Sequence, residues 1–303
     1  MLKLTTKPFS THKEAETPDD RQDAYCWNDE NGCYAVADGA TRSFFPKEWA
    51  TLLVEHFCEN TDLSSVKTDW KDWISPIQQK WYEQIEEKVS ERNLFYLTNS
   101  FNSQESAVST FIGIEFNKDN GEWEAMIVGD SCLFHESGSR FKSYLIENSA
   151  AFTNHPEVFA SFAKDDYSEP TFIHGSTNPG DTFILATDAL AKWILEHEET
   201  GKLDAALDRL KAIRMDEEFY QFVHEARHNE AIRLVNDDVT LMLISVAEVQ
   251  KSEETESEAQ TQEPTQQQQD ILLRTLFWGI LVGVFTFFVG FIILLLILLN
   301  QKQ

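Results

Sequence analysis

Residues 25–45, YCWNDENGCYAVADGATRSFF, constrain this chain more than any other stretch. They read as two short apolar strands, 24–27 and 33–37, around an Asn31-Gly32 turn. Asn-Gly between apolar runs signals a hairpin because both residues tolerate positive φ. The second strand stops on Asp38-Gly39. A carboxylate at a strand end can point into a cleft, and a glycine beside it lets backbone come close to a ligand. Asp-Gly alone is commonly just a turn. Its meaning depends on how the other strands end.

They end in the same way. AMIVGD stops on Asp130 and FILATD on Asp188; DDVTLMLISV opens on Asp237; RQDAYCW puts Asp23 before the first hairpin strand. Several strand-end carboxylates, each beside Gly, Thr or a second Asp, form the oxygen-rich set that Mg²⁺ and Mn²⁺ prefer. The histidines show no zinc-like spacing, and Cys26, Cys33, Cys58 and Cys132 form no CxxC pair, so no softer metal is expected. Cys26 and Cys33 are expected to face each other across the hairpin. The first residues, MLKLTTKPFSTHK, lack the apolar run of a signal peptide, so the cysteines are expected to be reduced core thiols.

With 303 residues the chain holds one large domain or two small ones. Its 51 acidic against 25 basic residues give a formal charge of −26, which argues against a nucleic-acid partner. Strand and helix signals alternate over 1–247. Helices are expected at 46–58 and 76–92, each with a proline near its start, and at 156–163, 189–197, 203–213 and 217–235. Strands are expected at 107–116, 122–128, 132–135, 141–146, 182–187 and 239–246. The last, VTLMLISV, is apolar on both faces, as suits a strand buried between layers. Residues 248–270 are poor in apolar side chains and rich in Glu, Gln, Ser and Thr, which predicts a disordered linker. Residues 271–299 predict a transmembrane helix. Within them, 275–299 are 25 residues without a charge. At about 1.5 Å per residue they exceed a hydrocarbon core of about 30 Å. Only 300–303 follow, so the segment reads as a tail anchor. The missing leader, with Arg274 on the linker side, places the domain in the cytosol.

Taken in order, these motifs resemble the type-2C (PPM) metal-dependent serine/threonine protein phosphatases. The resemblance covers about 17–246. It rests on Gln22-Asp23 opening a strand, AVADGA at Asp38-Gly39, Val108-Ser109-Thr110, VGDS at 128–131, ILATDALAKW around Asp188, and Asp237-Asp238-Val239-Thr240. It implies an α+β, four-layer αββα sandwich, with two central antiparallel sheets flanked by helices. It also implies a site. Asp38 would bridge two Mg²⁺ or Mn²⁺ ions, with the Gly39 carbonyl on one and Asp188 and Asp237 on the other. Asp130, with Asp188, would hold a weaker third ion, and Asp23 would hold metal-bound waters. Asp38, Asp188 and Asp237 are thus the expected catalytic set for hydrolysing phosphoserine or phosphothreonine in proteins. Such a pair of ions lowers the pKa of a shared water and offsets charge on the phosphoryl oxygens.

The chain departs from the family pattern at identifiable points. The phosphate-gripping Arg expected five residues before the first Asp is Pro18, which leaves Arg21 or Arg42 as substitutes. The His that follows Asp-Gly in animal members is Ala40. Asp-Gly-Leu has become Asp188-Ala189-Leu190, GDSR ends in Cys132, and 148–168 replace an Asp-His-Ser segment. The expected partners are a phosphorylated protein substrate, a membrane-associated Ser/Thr kinase or its targets, and the membrane itself. The alternative is a catalytically weak or dead module that binds a phosphorylated membrane partner; a small-molecule phosphatase is a third reading.

Overall fold

The structure, a computed structural model, describes residues 1–249 apart from 61, 154 and 164–167. In chain order the elements are β1 (Leu2–Thr11), β2 (Ala24–Asn28), β3 (Cys33–Gly39), α1 (Pro46–Asn60), α2 (Leu63–Val66), α3 (Trp70–Arg92) and α4 (Phe95–Asn102), then β4 (Val108–Phe116), β5 (Glu122–Val128), β6 (Cys132–Ser137), β7 (Arg140–Tyr144), β8 (Phe159–Ala160), β9 (Thr171–Ser176) and β10 (Thr182–Ala186), then α5 (Asp188–Glu199), α6 (Leu203–Ala212), α7 (Asp216–Arg227) and β11 (Val239–Glu248). Met1–Val249 form one compact unit. The expected span at 271–299 and all of the linker beyond Val249 lie outside the described residues. Among the described residues no helix is long and apolar enough to cross a membrane.

Strand periodicity sends alternate side chains to opposite faces, and in the central strands both sets are apolar. One sheet runs β1-β11-β10-β6-β7 and the other β2-β3-β4-β5-β9, with β8 beside β4; every pairing is antiparallel. In β3, Cys33, Ala35 and Ala37 pack under α1–α4, with Trp49, Phe57, Trp73 and Trp81. Tyr34 and Val36 face the other way, into a layer shared with Ile112, Ile114, Phe183, Leu185, Met242 and Ile244. Ile184, Ala186, Leu241 and Leu243 complete the arrangement under α5–α7. Helices therefore cover the outer face of each sheet, and the expected α+β arrangement of two antiparallel sheets with flanking helices is the one observed.

Several local expectations need correction. Residues 156–163 are not a helix: Phe159 and Ala160 pair with Ser109 and Val108 of β4, and the Phe159 carbonyl accepts from buried Trp49 Nε1 at 2.9 Å. Tertiary pairing overrides the weak helical pattern there. The helix expected at 217–235 ends at Arg227, because the Asn229 side chain accepts from the Ala231 and Ile232 amides and turns the chain. Helix α3 starts six residues before Pro76, capped by Asp69, whose side chain accepts from the Asp72 amide; the proline sits inside it. At the hairpin only Gly32 takes positive φ, +74°, and the loop spans 29–32. Cys26 lies opposite Ala35 and Cys33 opposite Asn28, so the two thiols do not face each other; all four cysteines are free. Strands β1 and β9 and helices α2 and α4 carry no signal strong enough to be expected from sequence.

Candidate active site

The inter-sheet layer is apolar along most of its length and polar at one end, and the same alternation accounts for both. Asp38 continues the Tyr34–Val36 face of β3. Asp23 precedes Tyr25 on β2, Thr110 precedes Ile112 on β4, and Thr240 precedes Met242 on β11. Ser131 precedes Leu133 of β6, and Thr187 follows Leu185 of β10. Each strand thus presents a polar side chain where its apolar face runs out.

A cleft of about 260 Å³ opens at this end, lined by Asp38, Asp130, Asp188 and Asp237 together with Ala40, Thr41 and Thr110. Thr153, Pro156 and Val158 also line it. The segment that departs from the family pattern therefore shapes the cleft. A larger surface hollow of about 560 Å³, beside Lys67 and His174, contains none of the strand-end aspartates.

Asp188 is the first residue of α5, where it accepts from the Ala189 amide. Asp130 follows Gly129, whose φ is +94°; a Cβ there would lie 2.6 Å from the Glu157 carbonyl oxygen and from the Thr110 side chain, so only glycine fits. Gly39 is equally constrained, since a Cβ would meet the Pro46 and Gln22 carbonyl oxygens at 2.8 and 2.9 Å. Asp23 lies behind the cleft, 3% exposed. Its Oδ2 accepts from Thr240 Oγ1 at 2.7 Å and Thr187 Oγ1 at 3.0 Å, while its buried Oδ1 has no partner among the described residues. Asp238 serves the backbone instead. Its Oδ1 accepts from the Lys13 amide and its Oδ2 from the Gln22 amide, which fixes the chain before β2 against β11.

Crowded burial defines the electrostatics. Burial, then the charges of Asp23, Asp188, Asp237 and Asp130, push Asp38 well above the carboxylate range. Burial, with the charges of Asp130 and Asp237, pushes Asp188 up to about 7. Burial and the Asp238 charge push Asp23 up to about 7, against the pull of its threonine bonds. Burial alone pushes Asp130 up to about 6. Among the described residues no ion pair reaches Asp23, Asp38, Asp130 or Asp188, and the orphaned Asp23 Oδ1 lacks a donor. Hard divalent cations with their waters would remedy both, so the donor set fits Mg²⁺ or Mn²⁺. No three of these carboxylates bring oxygens within 4.8 Å of one another. They ring the cleft rather than converge on one point, an arrangement suited to ions that take two or three protein ligands and keep water.

Sequence reasoning missed Lys13. Its Nζ lies 2.9 Å from Asp237 Oδ1 and 2.7 Å from Thr41 Oγ1, at the cleft edge. Burial alone would lower its pKa, but the bond and charge of Asp237, with Asp238 and Glu16, outweigh that and raise it. The two arginines lie elsewhere. Arg21 donates to the Ser10 carbonyl at 3.3 Å and sits near the Tyr25 ring, and Arg42 is exposed; neither lines the cleft. Cys132 is buried under the helices, and burial drives its thiol well above the ordinary range.

The chain is thus an α+β sandwich with an acidic cleft at one end of its central layer. The family model for protein phosphatase 2C matches residues 11–234, and the chain belongs to that family. Among solved structures it is similar to PppA, a key regulatory component of T6SS in Pseudomonas aeruginosa, at 14% identity and a TM-score of 0.53, covering 81% of this chain and 100% of that one. It is also similar to the catalytic domain of the serine/threonine protein phosphatase PstP in complex with 2 manganese ions, at 15% identity and a TM-score of 0.51, covering 82% of this chain and 100% of that one. At these identities the likeness establishes the fold. No curated protein matches the chain.

Proposed function

We propose that this protein hydrolyses phosphoserine or phosphothreonine in proteins with the aid of Mg²⁺ or Mn²⁺. The observation that carries the reading is the group of aspartates that separate strand ends deliver to one cleft, where burial and neighbouring charges push Asp38 and Asp188 upward. Structural carboxylates at this depth would be paired with cations; Asp23, Asp38, Asp130 and Asp188 have none among the described residues. Family membership supports the reading, and PstP's two manganese ions agree with it.

Asp38, with the Gly39 carbonyl, Asp188 and Asp237 would hold two ions. Asp130 would contribute to a third, and Asp23 would order the waters of hydration. When bound, the ions supply an acidified water and offset phosphoryl charge. The protein's own part is position and charge. Thr187 and Thr240 hold Asp23 with Oδ1 turned free. Asp238 fixes the backbone at Lys13 and Gln22. Lys13 supplies the cation that the Pro18 position lacks, at a point where a phosphoryl oxygen can replace its Asp237 partner. Thr153, Pro156 and Val158 set the width of the entrance and so the substrates that pass.

The competing reading is a weak or inactive module that binds a phosphorylated membrane partner, favoured by the absence of Arg21 and Arg42 from the cleft lining. Turnover of phosphoserine and phosphothreonine peptides with Mn²⁺, set against phosphotyrosine peptides and phosphorylated metabolites, separates these readings. Preference for the first pair is expected. Peptide binding without turnover would favour the module, and preference for metabolites would favour a small-molecule enzyme.

The uncharged run 275–299 supports a membrane tether, and Arg274 on its linker side supports a cytosolic domain, which would direct activity to membrane-associated kinases or their targets. Alkaline extraction of membranes should leave the full chain in the pellet and release a chain lacking 271–299. Release of both would contradict the tether.

A further inference from the structure

We propose that Glu14, His224 and His228 form a separate site for a transition-metal cation of the Zn²⁺ class. The sequence hides this site because Glu14 lies about 210 residues from the two histidines in the chain. In the structure they stand four apart at the end of α7 and its cap, on one helical face, with ring centroids 4.5 Å apart. Folding brings Glu14 to them from the segment after β1. One ligand atom from each residue lies within 4.8 Å of the other two, and among the described residues no other group of three or more meets that condition.

The backbone at Glu14 is held in place, and its carboxylate, 38% exposed, feels the Arg227 charge and the nearby His228 ring without a hydrogen bond to Oε1. Glu14 Oε1 is buried without a hydrogen-bond partner among the described residues. The nearest His228 Nδ1 stands at 3.7 Å, beyond hydrogen-bonding distance. The segment that carries it is pinned on both sides. The Glu14 amide donates to Asn236 Oδ1 at 2.8 Å, the Lys13 amide donates to Asp238 Oδ1 at 3.1 Å, and Arg227 of α7 donates to the His12 carbonyl at 3.1 Å. Two imidazoles and one carboxylate make a three-ligand set, and both histidines are exposed, so a water can complete four-coordination. Imidazole favours Zn²⁺, Co²⁺ or Ni²⁺ over Mg²⁺. The all-oxygen cleft offers no imidazole, so the two sites are distinguished by the ligands a bound ion would report. His228 Nδ1 also lies 2.8 Å from the His224 carbonyl oxygen, and a metal taking that nitrogen would release this contact.

The test uses the full chain with its cleft saturated by Mg²⁺, titrated calorimetrically with Zn²⁺. It does not depend on catalysis, so failure of the phosphatase reading would leave it intact. One Zn²⁺ per chain is expected. His224→Ala and His228→Ala should each weaken binding by more than the roughly tenfold that loss of an outer-shell partner costs. Unchanged thermal melting without Zn²⁺ shows that the variants fold. X-ray absorption at the zinc edge should show imidazole scattering in the wild type and lose it in the double variant. Absence of Zn²⁺ binding, full binding by the double variant, or a purely oxygen shell would each overturn the proposal.

Discussion

Lys13 Nζ lies 2.9 Å from Asp237 Oδ1, so the cleft's acidic ring is met by an ammonium carried on the segment just after β1. If that ammonium grips substrate phosphate, Lys13→Ala should raise KM for a phosphopeptide. Loss of a charged hydrogen bond of about 1.5–3 kcal/mol corresponds to about tenfold or more. Lys13→Arg should recover most of the loss. Steady-state kinetics of the three proteins checks this, and an unchanged KM in Lys13→Ala would remove Lys13 from the site.

The raised carboxyl pKa values set a sign for stability without metal. Unfolded aspartates titrate near pH 3.9, whereas Asp23 and Asp188 are pushed to about 7 and Asp130 to about 6. Between these limits the folded, metal-free protein holds more protons than the unfolded chain, so stability falls as pH rises through the window. In EDTA, the melting temperature of wild type relative to Asp188→Asn should therefore drop between about pH 4 and about pH 7. Mn²⁺ should reverse the drop, because ligation favours the deprotonated carboxylates. A relative melting temperature that rises with pH in EDTA would refute the assignment of buried, uncompensated charge.

Much of the fold and cleft is legible in the sequence, for a physical reason. The strands that end in Asp38, Asp130 and Asp188 and begin beside Asp237 are apolar and short, and alternation tells which face each carboxylate continues. Strand β1 is not legible. It is an edge strand paired only with β11, its LKLTTKPFST sequence is half polar, and Pro8 can be tolerated there because an edge needs no donor on its open side. Without β1, nothing in the sequence points to Lys13 and Glu14, which it delivers to the cleft and to α7. The wall at 156–163 reads as helix because its pairing partner, β4, is about fifty residues away in the chain. The end of α7 is overrun because Asn229 acts through its side chain, which a hydrophobic period does not register.

Gly129 links fold to site. At φ +94°, with the Glu157 carbonyl oxygen 2.6 Å from where a Cβ would stand, Gly129→Ala must displace the cleft wall or Asp130. Strain and overpacking together should cost about 2 kcal/mol or more. Urea denaturation measures the loss, and calorimetry should show weaker Mn²⁺ binding. A variant as stable and as tight-binding as wild type would contradict the packing described.

The most direct test of the central claim is phosphate release from a phosphothreonine peptide by the purified full chain. Turnover with Mn²⁺ should be abolished by EDTA, return when Mn²⁺ is restored, and fall by orders of magnitude in Asp38→Asn while the fold persists. Turnover that survives the chelator, or that survives in Asp38→Asn, would contradict a metal-dependent reaction at this cleft.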